Sequence, residues 1–536
     1  MPEPKQITLT IDGKSTTVPE GTTVLQACEK ANSPVPFYCY HPGLSIAGNC
    51  RICLVDIAGV GKPQIACYTR ASEGMAVNTT NDKTLNARRD VLEFLLINHP
   101  LDCPVCDQAG ECWLQDYYMQ HGLYDPKFNE TKNKKPKAVP VGPTVMLDAE
   151  RCILCSRCVR FTDEVTKTGE FGIFNRGDHS EVGIVPGKEL NNNYSGNVVD
   201  ICPVGALTDR DFRFKCRVWY LGSTKSVCTG CSRGCNIEIH VNREREWRQH
   251  IAEGARVMRL KPRFNPDVNK WWMCDEGRYG YHYIDQDRLT VAHYRTNGAL
   301  HPSTWEESMP TMGNILKSLR DAKQFGQVGV ILSSHLTNEE LYAARQLFSE
   351  LGAQVVFQRP PSGASDDLLL RADKSPNGKG AEALGIAEGA EGLLEKAAKK
   401  QLKTLIIFIQ DLTQLFGEEG VKTALANVEH VIFIGPNNNK TSVLAHVVLP
   451  SAVAAEKEGT FTNFEGRVQR IYGALLPWAT AKPELEILSE LARLLGSKLS
   501  FVDAKTTFDV LAKSEKPFQG ISYEVIADQG ALLTHV

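Results

Sequence analysis

The chain has 536 residues, several times an ordinary domain, so more than one hydrophobic core is expected. Its 60 Lys and Arg against 63 Asp and Glu give a net charge of -3, and 42% apolar with 23% charged residues is ordinary globular composition. These values exclude a disordered chain, a nucleic-acid platform driven by bulk charge and a polybasic membrane binder. The departure is 17 Cys, none of them after Cys274, which divides the chain into two chemically different halves. An odd count and a start, MPEPKQITLT, without a basic and apolar leader speak against a disulfide framework and for a reducing compartment. Apolar runs such as 405–409 and 431–434 fall far short of the ~20 residues of a membrane helix, so a soluble chain that can sit on a membrane partner is expected.

QITLTIDGKSTT (6–17) alternates like two strands around Asp12 and Gly13, a pair suited to positive φ in a tight hairpin. TTVLQACEKAN (22–32) reads as a short helix, with Val24, Leu25 and Cys28 on one face and Cys28 as buried packing. Cys39, Cys50, Cys53 and Cys67 follow as C-x10-C-x2-C-x13-C. Hairpin, helix and Cys-bearing loop together suggest a ferredoxin-like 2Fe-2S domain. Zinc is the alternative, but zinc sites usually present two close Cys pairs, and here one pair is bracketed by two distant Cys.

LNARRDVLEFLLIN (85–98) is predicted helical, ended by Pro100 and carrying His99 at its C-terminal end. His99, Cys103, Cys106 and Cys112 form H-x3-C-x2-C-x5-C, the ligand set of a 4Fe-4S cluster with one imidazole, again with zinc as runner-up. Imidazole in place of thiolate removes one negative charge and makes the cluster easier to reduce. ETKNKKPKAVPVGP (130–143) reads as a solvated linker. Cys152, Cys155 and Cys158, with Cys202 before Pro203, are one complete half of a two-cluster ferredoxin pattern. The other half is gone, since Thr162, Val198, Ser195 and Asn192 stand in its slots. The last set is Cys228, Cys231, Cys235 and Cys274, spaced C-x2-C-x3-C-x38-C, a third 4Fe-4S candidate and the one where zinc is hardest to exclude. Cys216, in FRFKCRVWYL, is expected to pack in a core. Four sets of four then use fifteen Cys and one His, leaving Cys28 and Cys216 over.

FYCYHPGLSIAGNCRICLV, NHPLDCPVCDQAGECWLQD, RCILCSRCVRF, VVDICPVGALTD, SVCTGCSRGCNI and WWMCDEGRYG, in this order over most of residues 1–283, resemble one family. It is the large iron-sulfur subunit, of the G or 75-kDa type, of NADH:quinone oxidoreductase, respiratory complex I. The fourth set is typical of its bacterial rather than mitochondrial members. The resemblance implies a subunit of a proton-translocating NADH:quinone oxidoreductase, peripheral on the inner, cytoplasmic face of the membrane. Its partners would be a flavin-bearing NADH-oxidising subunit, quinone-side iron-sulfur subunits and a membrane arm. It further implies that the first three clusters pass electrons and that the fourth lies off the main path. The 38-residue gap before Cys274, with the charged insert NREREWR (242–248), is longer than the family pattern suggests.

From about residue 285 short apolar runs, VGVIL (328–332), TLIIFI (404–409), VIFIG (431–435) and HVVLP (446–450), alternate with helical stretches. LTNEELYAARQLFSELG is one such stretch, with Thr337 as cap, and PELEILSELARLLG is another; both close on Gly. This predicts an α/β fold with a largely parallel sheet, and SSHLTNEELYAARQLFSELGA and AAEKEGTFTNFEGRVQ resemble the molybdopterin-oxidoreductase family. No Cys follows Cys274, the half is short, and the motif order is that of complex I. Molybdenum is therefore not expected, and Gly459, Gly466 and Arg467 read as loop and packing residues. No G-x-G-x-x-G after a strand and no Walker-type loop occurs, so NADH and nucleotide sites fall to a partner, and no substrate site is expected on this chain.

The expected organisation is α+β iron-sulfur modules followed by the α/β domain. The modules are a 2Fe-2S ferredoxin-like domain (1–80), a His-ligated 4Fe-4S domain (81–130), a 4Fe-4S ferredoxin-like domain (144–220) and a molybdopterin-oxidoreductase-type 4Fe-4S domain (221–284). The molybdenum-free α/β domain spans 285–536. The expected cofactors are one 2Fe-2S and three 4Fe-4S clusters. Two rivals are the relay subunit of an NAD-linked hydrogenase or formate dehydrogenase, and a zinc-stapled scaffold.

Overall fold

In a computed structural model describing residues 4–122, 125, 127–243 and 256–534, the chain divides into two units, 1–220 and 221–536. Most of the NREREWR insert lies outside the described residues.

In unit 1, Asp12 and Gly13 take φ of 48° and 81° and close the hairpin of Gln6–Ile11 with Lys14–Pro19, as the sequence predicts. The hairpin is one edge of a five-stranded sheet continued by Ala76–Asn78, Leu54–Ile57 and Gln64–Ile65. Helix Val24–Lys30 begins at a Thr23/Gln26 capping box, and Cys28 is fully buried among Leu9, Ile11, Val24 and Val55. The next helix, Asp82–Leu96, starts earlier than predicted because Asn81 caps it through Thr84 N–H, and it ends before His99, which lies in the coil beyond. The stretch 130–143 is more than a solvated linker. Lys132 Nζ donates to the Leu96 and Ile97 carbonyls, both at 2.8 Å, satisfying groups that a helix end leaves open. Lys137 pairs with Glu150 at 2.8 Å and with Asp102 at 3.1 Å. Val139–Pro140 then joins a three-stranded sheet with Val145–Leu147 and Leu207–Asp209. Cys216 is half-buried rather than in a core, because its neighbours Phe214 and Trp219 face outward.

Unit 2 opens with three antiparallel strands, Leu221–Val227, Asn236–Asn242 and Val257–Pro262. An eight-stranded sheet follows. Six strands are parallel, in the order Val447–Pro450, His430–Gly435, Thr404–Phe408, Val328–Ser333, Gln354–Gln358 and Ala387–Glu388. The antiparallel hairpin Ala292–Thr296 and Ala299–Ser303 is added at one edge. The apolar runs are continuous because both faces are covered. Val330, Leu332, Ile406, Phe408, Ile432 and Ile434 face helices Trp305–Asp321, Asn338–Glu350 and Glu484–Leu494. The alternate residues Ile331, Leu405, Ile407, Val431 and Phe433 face helices Glu391–Ala398 and Glu418–Leu425. Burial of each such side chain stabilises by about 1.5–3 kcal/mol. Thr337 caps the second helix through Glu340 N–H, and Gly352 and Gly496 close two helices at φ of 87° and 67°. No helix among the described residues is long and apolar enough to cross a membrane.

Candidate metal centres

The first set sits in the loop of the five-stranded domain. Cys39, Cys50, Cys53 and Cys67 are all buried, and their thiols form a run of contacts, Cys50 to Cys39, Cys39 to Cys67 and Cys67 to Cys53. Arg51, at φ 63°, turns the chain between Cys50 and Cys53, and Cys39 N–H reaches Cys50 Sγ at 3.4 Å. Four thiols and an N–H···S bond in a buried loop fit a 2Fe-2S cluster, whose charge such donors stabilise.

His99, Cys103, Cys106 and Cys112 line one cavity of about 840 Å³. The 3-10 turn Cys103–Val105 sets Cys103 and Cys106 one turn apart, and Cys112 stands at the start of helix Trp113–His121. His99 Nδ1 is buried with no hydrogen-bond partner. Burial pushes its pKa down to about 4, so the ring is the neutral imidazole that a metal ligand requires. Asp102, beside it, is held down to about 2 by Arg151, which donates to it at 2.7 Å. Cys106 Sγ packs on Gly205, where a Cβ would lie 2.3 Å from the sulfur, so any side chain there would displace the thiol.

Cys152, Cys155, Cys158 and Cys202 share a small cavity with Leu147, Ile153, Val182 and Leu207. The loop curls through left-handed Leu154 and Ser156, at φ 54° and 59°, and Leu154 N–H points at Cys152 Sγ, 3.4 Å away. Burial and then the neighbouring Cys155 push the Cys152 thiol up to about 12, and Cys155 rises to about 11. Four such thiols stay protonated at neutral pH unless a metal takes up their charge.

In unit 2, Cys228, Cys231, Cys235 and Cys274 converge on another small cavity, walled by Gly277, Leu369 and Leu370. Cys228 N–H bonds the Cys235 carbonyl at 2.8 Å, closing the loop between two strands of the opening sheet. Gly230 and Gly277 N–H groups point at Cys228 and Cys274 Sγ, 3.5 and 3.3 Å away. A Cβ on Gly277 would come within 2.8 Å of Cys228 Sγ. Each of the four predicted sets is thus brought together, and Cys28 packs in the apolar cluster that also holds Cys53 and Cys67. Among the described residues no three His, Cys, Asp or Glu converge closely enough to hold a single metal ion. Sequence reasoning missed Gly205 and Gly277, whose signal is only a Gly three residues from a ligand Cys, and the Asp102–Arg151 pair beside His99.

Family models match in the same order as the ligand sets. A 2Fe-2S iron-sulfur cluster binding domain matches 4–82, and an NADH-ubiquinone oxidoreductase-G iron-sulfur binding region matches 88–127. The ferredoxin-like domain of NADH-quinone oxidoreductase subunit 3 matches 142–208, a molybdopterin oxidoreductase Fe4S4 domain 221–286, and molybdopterin oxidoreductase 370–494. The G-type subunit of NADH-quinone oxidoreductase from Rickettsia felis is 39% identical over 347 residues, 65% of this chain and 49% of that protein. Its counterpart from Rickettsia conorii is 29% identical over 96% of this chain and 91% of its own length. The chain is similar to the G-type, 75/78-kDa subunits of NADH-quinone oxidoreductase. It spans about half the length of the Rickettsia felis member. The family's organisation, iron-sulfur modules followed by a molybdopterin-oxidoreductase-like α/β domain, holds here. A solved NAD+-reducing [NiFe]-hydrogenase chain is 30% identical over 39% of this chain and 89% of its own, with a TM-score of 0.36.

Proposed function

We propose that the chain relays single electrons within an NADH:quinone oxidoreductase, from a flavin-bearing partner toward quinone-side iron-sulfur subunits and a membrane arm. The observation that carries this reading is the gathering of the ligand sets into four separate sites, in the order of the matching family models. On this reading Cys39, Cys50, Cys53 and Cys67 hold a 2Fe-2S cluster. His99, Cys103, Cys106 and Cys112 hold one 4Fe-4S cluster, and Cys152, Cys155, Cys158 and Cys202 a second. Cys228, Cys231, Cys235 and Cys274 hold a third, off the main path, and there is no molybdenum. Bound clusters supply one-electron exchange. The protein's residues fix the ligands, keep His99 neutral, aim N–H groups at Cys50, Cys152, Cys228 and Cys274, and exclude water. The Cys152 set touches both of its neighbours, through Arg160 on the Cys39 carbonyl and through Gly205 on Cys106, which favours a middle place in the relay over the last place that chain order suggests. The proposed modules are 1–80, 81–130, 144–220, 221–284 and 285–536, and the whole would lie on the inner face of the membrane through its partners.

Anaerobic metal and acid-labile sulfide analysis tests this directly, with about 14 iron atoms per chain expected from one binuclear and three tetranuclear clusters. Near-stoichiometric zinc in place of iron, or one molybdenum per chain, overturns the assignment.

A further inference from the structure

We propose that Arg157 is the counter-charge shared by the Cys39/Cys50/Cys53/Cys67 and Cys152/Cys155/Cys158/Cys202 centres, and that it raises the reduction potentials of both. The inference rests on the iron-sulfur reading above and assigns a role to a residue that is not a ligand. Arg157 lies between ligands Cys155 and Cys158 and is 2% exposed. Its Nη1 donates to the carbonyl of Ile201, the residue before Cys202, at 2.8 Å. Its Nη2 donates to the carbonyl of Tyr40, the residue after Cys39, at 2.5 Å. The guanidinium lies 4.7 Å from the Trp113 ring centre and 6.0 Å from that of Phe37, and Nε has no acceptor.

Three buried cations of unit 2 set the contrast, whereas buried Arg88 of unit 1, like Arg157, makes no ion pair with a carboxylate among the described residues. Arg256 meets Asp285 and Glu456, Arg288 meets Glu456, and Lys457 meets Glu340 and Glu484. Among the described residues Arg157 makes no ion pair with a carboxylate. The ligand thiols whose fields reach it come from both sets, Cys155 and Cys202 from one and Cys39 and Cys50 from the other, and they carry negative charge once a cluster binds them. A buried cation without a counter-charge is strongly disfavoured, and thiolate-ligated clusters in both sets supply one. Each cluster gains one negative charge on reduction, so a fixed cation beside it stabilises the reduced form and raises the potential. Arg160, one turn on, donates to the Cys39 carbonyl at 2.5 Å and to the Cys155 carbonyl at 3.4 Å, and it also bonds Ser45 O. It spans the same two ligand loops from a more solvated position, where screening weakens its effect.

Potentiometric EPR titration of the full chain, with iron content measured in parallel, separates this role from that of a structural strap. Arg157→Gln should lower both potentials, shifting the reduced-to-oxidised ratio at fixed ambient potential about tenfold, equivalent to about 59 mV for one electron. Arg157→Lys should restore most of that shift in both centres. A Gln variant of full iron content with either parent potential unchanged, or a Lys variant as low as Gln, overturns the proposal. Should Arg157→Gln lose iron, Arg160→Gln decides: it should move the same two potentials downward by less, and no movement overturns the proposal. A parent chain without iron-sulfur signals removes the relay reading and this one with it, whereas unchanged potentials at full iron content remove this one alone.

Discussion

The ligand-bearing part of unit 1 and the eight-stranded sheet of unit 2 bury side chains for different ends. In unit 1 a single apolar cluster mixes Tyr38, Ile52, Leu92, Leu114 and Ile153 with the ligand thiols Cys39, Cys50, Cys112 and Cys155, drawn from three sets. The packing there is also the proposed ligand shell. In the sheet, strands such as Val328–Ser333 and Thr404–Phe408 are buried along their whole length against helices on both faces, and no Cys takes part. On the proposed reading, one region draws folding free energy from the clusters it holds, while the strands of the other draw it from apolar area.

Stripping iron with acid and chelator should expose that difference most strongly. Amide exchange in unit 1 around residues 38–53 and 152–206 should rise by several orders of magnitude, because metal binding is folding free energy there. The strands at 328–333, 404–408 and 430–435 should stay protected. Equal loss of protection in both regions would remove the distinction. Next in size is Lys457→Met in the Cys-free half, which leaves the buried Glu340 and Glu484 without their cation and should cost about 3–5 kcal/mol in denaturant unfolding with iron content unchanged. Burial lifts the Glu484 carboxyl up to about 7, above the ~4.3 of a free Glu. The native state holds that proton more tightly than the unfolded chain does, so the stabilisation is present at low pH and fades as pH rises from about 4.3 to about 7. The variant should therefore lose more stability at pH 8 than at pH 5, and a pH-independent loss would contradict this origin.

Cys274→Ala should have a smaller effect on folding. It removes about 4 iron atoms and the Gly277 N–H bond that caps helix Asp275–Tyr279, so the start of unit 2 should loosen while the sheet stays intact. NADH-to-quinone activity per assembled complex should remain near the parent value. Normal assembly and stability with lost activity would place the fourth centre on the electron path. The smallest change in stability belongs to His99→Cys. That variant should keep its cluster but lower the cluster's potential, because thiolate adds negative charge where neutral imidazole stood. A parent-like spectrum and potential would show that His99 is not a ligand.

Much of the fold is legible where local chemistry and tertiary demand agree. Asp12–Gly13, the Thr337 cap and the doubly buried strands of the parallel sheet are of that kind. The hairpin at 292–303 carries the same signal in Asn297–Gly298, both at positive φ, but an apolar-run criterion passes over it because its outward residues, Tyr294 and His301 among them, are polar or amphipathic. The candidate ligands are legible because thiolates must recur at fixed spacing. The groups around them are not. Arg157 and Arg160 look like solvated charge in a Cys-rich stretch, and their partners lie more than a hundred residues away in the Cys39 loop. Lys132 likewise reads as part of a charge run until the end of helix Asp82–Leu96 is seen to accept from it. Cys216 shows the converse error: apolar neighbours in sequence do not make a core when two of them turn to solvent.

Gly205 ties two of the candidate sites to one another. It belongs to the loop that begins at Cys202, yet its bare α-carbon is the wall on which Cys106 of another set rests. On the proposed reading, a single substitution at Gly205 would disturb two centres at once, because a side chain carried on the Cys202 loop takes the space of a thiol of the His99 set.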